Sequence, residues 1–282
     1  MSQTIITFEK LREFFNEYKI SSQKIENNTT YFRYICYEKL DFIRTVKLPK
    51  IEKNQKNEAV IVDSRFLPHM EFIIRNNILK LGAGWSHTVA CTNDNVTEIT
   101  DMCNRIDPGI KILKINENWE GLNPANSLMY DVNFWNSLTG EHILAYQEDT
   151  IMFKNNIKDF LIYDYVGAPW APPRPFGLEC GNGGFSLRSR QKTIEILNDK
   201  LLVEILLSFL SKYYDGKVLV LPAEDVFFSL AFKYRSNQMP SAYVASLFSS
   251  EQIANHDSLG GHKFWLFDSN WMDRMTKLVS EL

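Results

Sequence analysis

Long apolar runs are missing from this 282-residue chain. No stretch approaches the roughly 18 consecutive apolar residues of a membrane-crossing helix, so no membrane span is expected. The opening residues, MSQTIITFEKLREFF, carry acidic and polar side chains where a secretory signal would need an unbroken apolar core. Cysteine is scarce. Cys36, Cys91, Cys103 and Cys180 form no C-x-x-C pair, and each lies in or beside an apolar segment, where a thiol packs as a small hydrophobe. Together these absences lead us to expect a reducing, cytoplasmic setting. Positive charge is not in excess either: 31 Lys and Arg face 34 Asp and Glu, for a formal net charge of -3. Without a global basic field no nucleic-acid partner is expected, and any nucleotide must be a small one held by local groups. The chain also has no internal repeat and no low-complexity tract.

What is present is the composition of a globular domain, 45% hydrophobic and 23% charged, long enough to bury a full core. Residues 1–57 carry a helical pattern (Phe8, Leu11, Phe14, Phe15, Tyr18), an aromatic stretch from Tyr31 to Tyr37 and a polar run from Lys50 to Asn57. They read as an N-terminal helical extension, which could serve as a cap, a dimer contact or an acceptor-docking element; the oligomeric state stays open. Residues 58–282 read as one domain. From residue 58, short apolar runs alternate with amphipathic segments, the pattern of βα units around a mainly parallel sheet. Strands are expected at Ala59 to Val62, His87 to Cys91, Ile110 to Ile115 and His142 to Tyr146. Helices are expected from Pro68 to Gly82, from the caps at Asn93 to Asn95 as far as Ile106, and through Leu128, Val132 and Trp135. Downstream the spacing predicts a strand-like Phe160 to Tyr163, a proline-rich loop from Ala168 to Pro175 and one long helix from Gln191 to Tyr214. A last strand is predicted from Val218 to Leu221.

Five constellations carry chemistry. Gln147, Glu148 and Asp149 follow the fourth strand, where open α/β sheets bind ligands, and Asp149 is a hard oxygen ligand of the kind that a cation on a diphosphate requires. The same residues would also make an ordinary solvated turn. Gly181, Asn182, Gly183 and Gly184 would let main chain line a cleft, or would form a plain hairpin or bulge. Glu224 and Asp225 open an apolar helix; a carboxylate there is either an N-cap or a general base. In the tail from His256 to Trp265, an imidazole could complete a cation site and Lys263 could neutralise phosphate. Asp63 and Arg65 stand at the end of the first strand, where Arg65 suits a phosphate or pairs with Asp63 or Glu71.

In this order the segments Ala59 to Arg65, Tyr146 to Thr150, Asp164 to Trp170, Gly181 to Arg188, Glu224 to Phe228 and Gly261 to Trp265 resemble a glycosyltransferase-like family long catalogued as a domain of unknown function. More distantly, Ser64 to His69 and Glu224-Asp225 resemble the nucleotide-binding start and the acidic motif of β-1,4-galactosyltransferases, which implies that Asp225 is the base of an inverting reaction. The tail is similar to that of glycogenin, a retaining enzyme, whose histidine binds manganese and whose lysine meets the diphosphate. His262 and His256 compete for that role, with His262 favoured because it directly precedes Lys263. Those groups carry Asp-x-Asp at the strand end; here the first position is Gln147, which lowers the negative charge offered to a cation.

The resemblance implies a GT-A-like α/β fold, with a Rossmann-like mixed, mainly parallel sheet flanked by helices, and transfer from a nucleotide-sugar, expected to be a UDP-sugar. The acceptor would be a glycan, protein or small molecule. Asp63, Arg65, Gln147, Glu148, Asp149 and Lys263 would hold the nucleotide-sugar, and Asp149 with His262 would hold Mn²⁺ or Mg²⁺. Trp170 and residues 181–184 would line the sugar and acceptor, and Asp225 with Glu224 would be catalytic. Two other classes stand beside this one. A binding or interaction protein that kept the fold and lost transfer is motivated by Gln147. A nucleotidyltransferase usually has a glycine-rich loop after the first strand, which is missing from Asp63 to Pro68.

Overall fold

The computed structural model describes residues 28–63, 65–115, 124–213 and 221–282. Two helices, α1 (Asn28–Glu38) and α2 (Leu40–Thr45), precede β1 (Asn57–Val62). Then follow α3 (Met70–Leu81), β2 (Trp85–Cys91), α4 (Val96–Ile106) and β3 (Lys111–Lys114). Next come α5 (Pro124–Met129), α6 (Val132–Ser137) and β4 (His142–Tyr146). β1 pairs in parallel with β2 and with β4, and β2 with β3.

β1 from Ala59 and β4 from Ile143 read as continuous apolar runs because both of their faces are covered, whereas β2 buries Ser86, His87 and Thr88 in its first half and β3 is only partly covered. Successive side chains point to opposite sides of a strand, so Ala59 and Ile61 enter one core while Val60 and Val62 enter the other. Full burial of a side chain such as Ile61 stabilises the fold by about 1.5–3 kcal/mol. Helix ends follow local chemistry. Gly82, at φ 71°, closes α3 by donating its N–H to Ile78 O at 3.0 Å. The helix expected through Leu128, Val132 and Trp135 is two helices, because the Asp131 side chain accepts from Asn133 N at 2.9 Å and starts a new one.

Past β4 the chain forms β5 (Thr150–Met152), β6 (Tyr165–Arg174) and β7 (Leu178–Ser189). The main sheet has the order β3-β2-β1-β4-β7-β6, with β7 antiparallel to both neighbours. Two expectations change here. Residues 160–163 do not make a strand: Ile157 to Phe160 is a 3₁₀ turn that buries Ile157 and Phe160, three apart on one side, while Ile162 is left exposed. The proline-rich segment from Ala168 is not a loop but the outer part of β6. Its prolines are tolerated because β6 is an edge strand whose register shifts repeatedly.

Helices α7 (Arg190–Asn198) and α8 (Lys200–Tyr213) replace the single long helix expected, since Asp199 Oδ1 accepts from Leu202 N at 3.0 Å and caps a fresh start. The chain ends with α9 (Glu224–Tyr234), α10 (Ala242–Phe248), β8 (Ser249–Ser250), β9 (Gly260–His262) and α11 (Trp271–Ser280). β5, β9 and β8 form a small second sheet, in which Thr150 opposes His262. Residues 218–220 of the strand expected before Glu224, and the helical pattern from Phe8 to Tyr18, lie outside the described residues. α1 and α2 belong to the stretch read as an extension, and their Phe32, Cys36, Leu40 and Ile43 share one hydrophobic core with Ile61, Phe72 and Trp265.

Candidate active site

The carboxyl ends of β1 and β4, the middle of β7, the first turn of α9 and the end of β9 converge on one cleft of about 200 Å³. Val62, Gln147, Gly183, Glu224, Asp225 and His262 are among the residues that line it. β4 delivers Gln147, whose N–H donates to Gly184 O at 3.1 Å.

Close approach explains the glycines. A Cβ on Gly183 would stand 2.0 Å from Glu224 Oε1, and one on Gly184 would stand 2.3 Å from His262 Cε1. Two bare positions in β7 thus admit the acid of α9 on one side and the imidazole of β9 on the other.

At the α9 end, the residue in the N-cap position is Ala223, so Asp225 is not the cap; its carboxylate accepts from Val226 N at 2.8 Å. Burial first, and then the neighbouring Glu224 charge, push Asp225 up to about 6. Glu224 itself is paired. Arg188 Nη2 donates to Glu224 Oε1 at 3.0 Å, and Nη1 lies 2.8 Å from Oε2 as an ion contact off the hydrogen-bonding line. Arg188 is fully buried, with its guanidinium 4.8 Å from the centre of the Tyr165 ring and 5.3 Å from that of Phe228. Asn126 steadies the entrance to α9: its Oδ1 accepts from Glu224 N at 2.7 Å and its Nδ2 donates to Pro222 O at 3.2 Å.

Asp149 and Lys263 are not among the cleft-lining residues; beside the cleft, behind His262, Asp149 faces two basic groups. Its Oδ1 lies 3.4 Å from His262 Nε2, and its Oδ2 lies 3.4 Å from Lys263 Nζ. Burial works to raise Asp149, but the charges of His262 and Lys263 outweigh it and hold the carboxyl well below its ordinary range. Burial likewise disfavours a charged His262, yet Asp149 and Glu251 push the imidazole up to about 9. Glu251 Oε2 is 3.2 Å from His262 Nδ1, and Glu251 Oε1 accepts from Asn182 Nδ2 at 2.9 Å. Asp149 Oδ1, Glu251 Oε2 and both ring nitrogens of His262 are buried without a well-aligned hydrogen-bond partner. Lys263 takes a left-handed backbone, φ 46°, uncommon for a residue with a side chain.

Other expected site residues sit elsewhere. Glu148 aims its carboxylate at Arg33, Arg65 and His69. Arg65 pairs with Asp63 through two side-chain hydrogen bonds of 3.0 and 2.9 Å. Trp170 is buried in the core beside α9 and is not among the cleft-lining residues. His256 is half exposed, 3.9 Å from Asp268, so the contact with Asp149 belongs to His262. Among the described residues no group of three or more His, Cys, Asp or Glu side chains is arranged to hold a metal ion. Sequence reading missed Glu251, Asn126, Arg33 and the pairing of Arg188 with Glu224. Only Arg188 left a signal: it alternates with Phe185 and Leu187 and so faces away from their core.

A family model described as "Protein of unknown function (DUF5672)" matches residues 109–262, more than half of the chain and ending on His262. The chain belongs to the DUF5672 family. Among solved structures, mouse xyloside xylosyltransferase 1 in its apo form is similar to this DUF5672 chain at 9% identity and a TM-score of 0.50, covering 75% of this chain and 99% of that one. The glycosyltransferase GlyE of Streptococcus pneumoniae TIGR4 matches at 12% identity and a TM-score of 0.45, over 80% of this chain. The match covers 64% of the length of GlyE. The inositol-1-phosphate CTP transferase of T. maritima matches at 8% identity and a TM-score of 0.45, over 81% of this chain and 98% of that one. No curated protein matches the chain. The sheet order and the likeness to the xylosyltransferase make this a mixed α/β fold of the GT-A type, with a mainly parallel central sheet. The finer resemblances to galactosyltransferases and glycogenin rest on the residues alone. No helix among the described residues is long and apolar enough to cross a membrane.

Proposed function

We propose that this DUF5672 protein is a glycosyltransferase that moves a sugar from a nucleotide-sugar, a UDP-sugar by the resemblance of its motifs, to an acceptor hydroxyl. Asp225 lines the cleft and Asp149 pairs with the cleft-lining His262, so two carboxylates in opposite electrostatic settings stand at and beside one cleft, and this supports the reading most. Asp225, with its pKa raised, can take the acceptor proton near neutral pH as a general base. In this reading Asp149 anchors His262 and Lys263, and these basic groups, with a cation, would supply the charge that a leaving diphosphate needs. Arg188 neutralises Glu224, leaving Asp225 as the base. A single displacement assisted by Asp225 inverts the anomeric centre, so a product with retained configuration would remove Asp225 from that role.

The donor set fits a divalent cation. Asp149 Oδ1 and His262 Nε2 face one another, are buried and lack aligned partners; a cation would take the place of the proton on Nε2, while Glu251 is placed to accept the Nδ1 proton and orient the ring. Mn²⁺ and Mg²⁺ commonly take one or two protein ligands and complete their shell with phosphate oxygens and water. When bound there, the ion would offset charge on the leaving diphosphate. The residues would bind and orient the donor while Asp225 receives the proton.

Thermal stabilisation by UDP, GDP and CDP, each with and without Mn²⁺, tests donor binding, since a ligand of the folded form raises apparent stability. A nucleoside-diphosphate release assay on Asp149→Ala tests the site. Loss of release with the fold intact is expected, and full activity in that variant would sink the assignment. Because Gln147 stands where an acid is usual, a second reading is retained: tight binding with no turnover on any acceptor would make this a nucleotide-sugar-binding protein.

A further inference from the structure

Glu148 lies between Gln147, which lines the cleft, and Asp149, which pairs with the cleft-lining His262, yet its own carboxylate is turned to other partners. Its carboxylate is 3% exposed and is met by three partners. Arg33 of α1 approaches with Nε at 3.1 Å from Oε2 and with Nη2 on Oε1. Arg65 Nη2 donates to Oε1 at 3.2 Å, and His69 Nε2 lies 2.8 Å from Oε2 and 3.1 Å from the Glu148 carbonyl. Burying such a cluster gains little stability over an apolar packing of the same volume. It does fix where the backbone of residues 147–149 runs.

The same helix grips the tail. Phe32 stacks on Trp265 at 4.1 Å between ring centres, tilted by 20°. Trp265 Nε1 donates to Thr29 Oγ1 at 3.2 Å, and Asn28 Nδ2 donates to Trp265 O at 3.4 Å. Trp265 is two residues past Lys263. The strand-end turn and the tail meet directly through the Lys263 N–H on Asp149 O, at 3.1 Å, and the Thr150–His262 pairing. α1 therefore touches both halves of the candidate donor site from behind, on neighbouring residues, Phe32 and Arg33.

We infer that α1 is a strap of the donor site and not a detachable extension: it holds the Gln147–Asp149 turn and the His262–Lys263 tail in register, with Arg33 and Glu148 as positioning residues. The donor role of that site rests on the function proposed above; the strap itself does not. Glu148 then contributes no ligand to the nucleotide-sugar.

Hydrogen exchange on the full chain tests the strap without any ligand. In Arg33→Met, and in the isosteric Glu148→Gln, amides of residues 147–150 and of 262–265 should exchange faster together, by about tenfold or more, while Trp85–Cys91 keeps its protection. Affinity for UDP or GDP with Mn²⁺, read by calorimetry, should fall roughly tenfold, as when an outer-shell partner of a metal ligand is lost. The double variant should lose little more than either single one. Uniform acceleration across the whole protein, or acceleration of one segment alone, would overturn the strap; unchanged affinity in a loosened variant would overturn its link to the donor site. If the parent chain binds no nucleoside diphosphate, the functional reading fails, and the exchange pattern still decides whether α1 couples the two segments.

Discussion

Arg188 holds Glu224 from a position with no solvent exposure, its fork seated among the Tyr165, Phe228 and Trp135 rings. Removing the cation would strand a carboxylate next to Asp225 at the mouth of α9. Arg188→Met should therefore lower unfolding free energy by about 3–5 kcal/mol, the usual effect of breaking one side of a buried pair. Urea denaturation of the variant beside the parent measures this. A loss under about 1 kcal/mol would mean that water already screens the pair.

Asp225 ties activity to pH. A base must be unprotonated, and this carboxyl is pushed up to about 6, so kcat/KM should climb as pH rises through about 6 and level off above it. Asp225→Asn should lose roughly 10²–10⁴-fold in kcat and abolish that limb of the profile. Stability should move the other way. The folded pKa lies above the unfolded value, so the folded state loses stability as pH rises from about 4 to about 6. At pH 7 the Asn variant should melt higher than the parent, and below pH 4 the difference should vanish. Thermal melts across that range check the sign.

Gly184 tests the packing of the imidazole. A Cβ there would lie 2.3 Å from His262 Cε1, so Gly184→Ala must displace the ring or the strand. Overpacking of this kind costs about 1–3 kcal/mol. Nucleoside-diphosphate binding in the presence of Mn²⁺ should weaken with it. A variant that melts lower and binds as tightly as the parent would separate His262 from the donor site.

Gln147 offers a gain. Gln147→Asp adds a second carboxylate to the strand end, and cation affinity follows ligand charge, so Mn²⁺ should bind about tenfold tighter. Titration followed by electron paramagnetic resonance of free Mn²⁺ reads the change directly. No gain in affinity would locate any bound cation away from this turn.

The parallel half of the sheet is legible in the sequence because Ala59–Val62 and Ile143–Tyr146 are buried on both faces and so spell unbroken apolar runs, with helix ends marked by signals such as Gly82; β2 shows such a run only over Val89–Cys91. The antiparallel half is harder to read. β6 carries prolines that an inner strand would reject, and the apolar run at 160–163 is split between a buried Phe160 and an exposed Ile162. The site divides the same way. Gln147, Asn182, Gly183, Gly184, Glu224, Asp225 and His262 sit in motifs whose place at strand or helix ends can be reasoned out, and all of them line one cleft. Their partners cannot be found so. Glu251 touches His262 and Asn182 across the second sheet, and Arg33 reaches Glu148 from a helix far upstream. A single charged residue has no period and no spacing to announce the distant group it will meet.

The outer edge of β6 limits how copies of this protein can meet. Pro169, Pro172 and Pro173 supply no N–H, and residues 171–174 are exposed, so the border of the main sheet is a broken row of hydrogen-bond donors. An incoming strand would find few partners there. The protein can hold a solvent-facing sheet edge without offering it as a template for fibrous growth, and any assembly on that side has to be made by side chains.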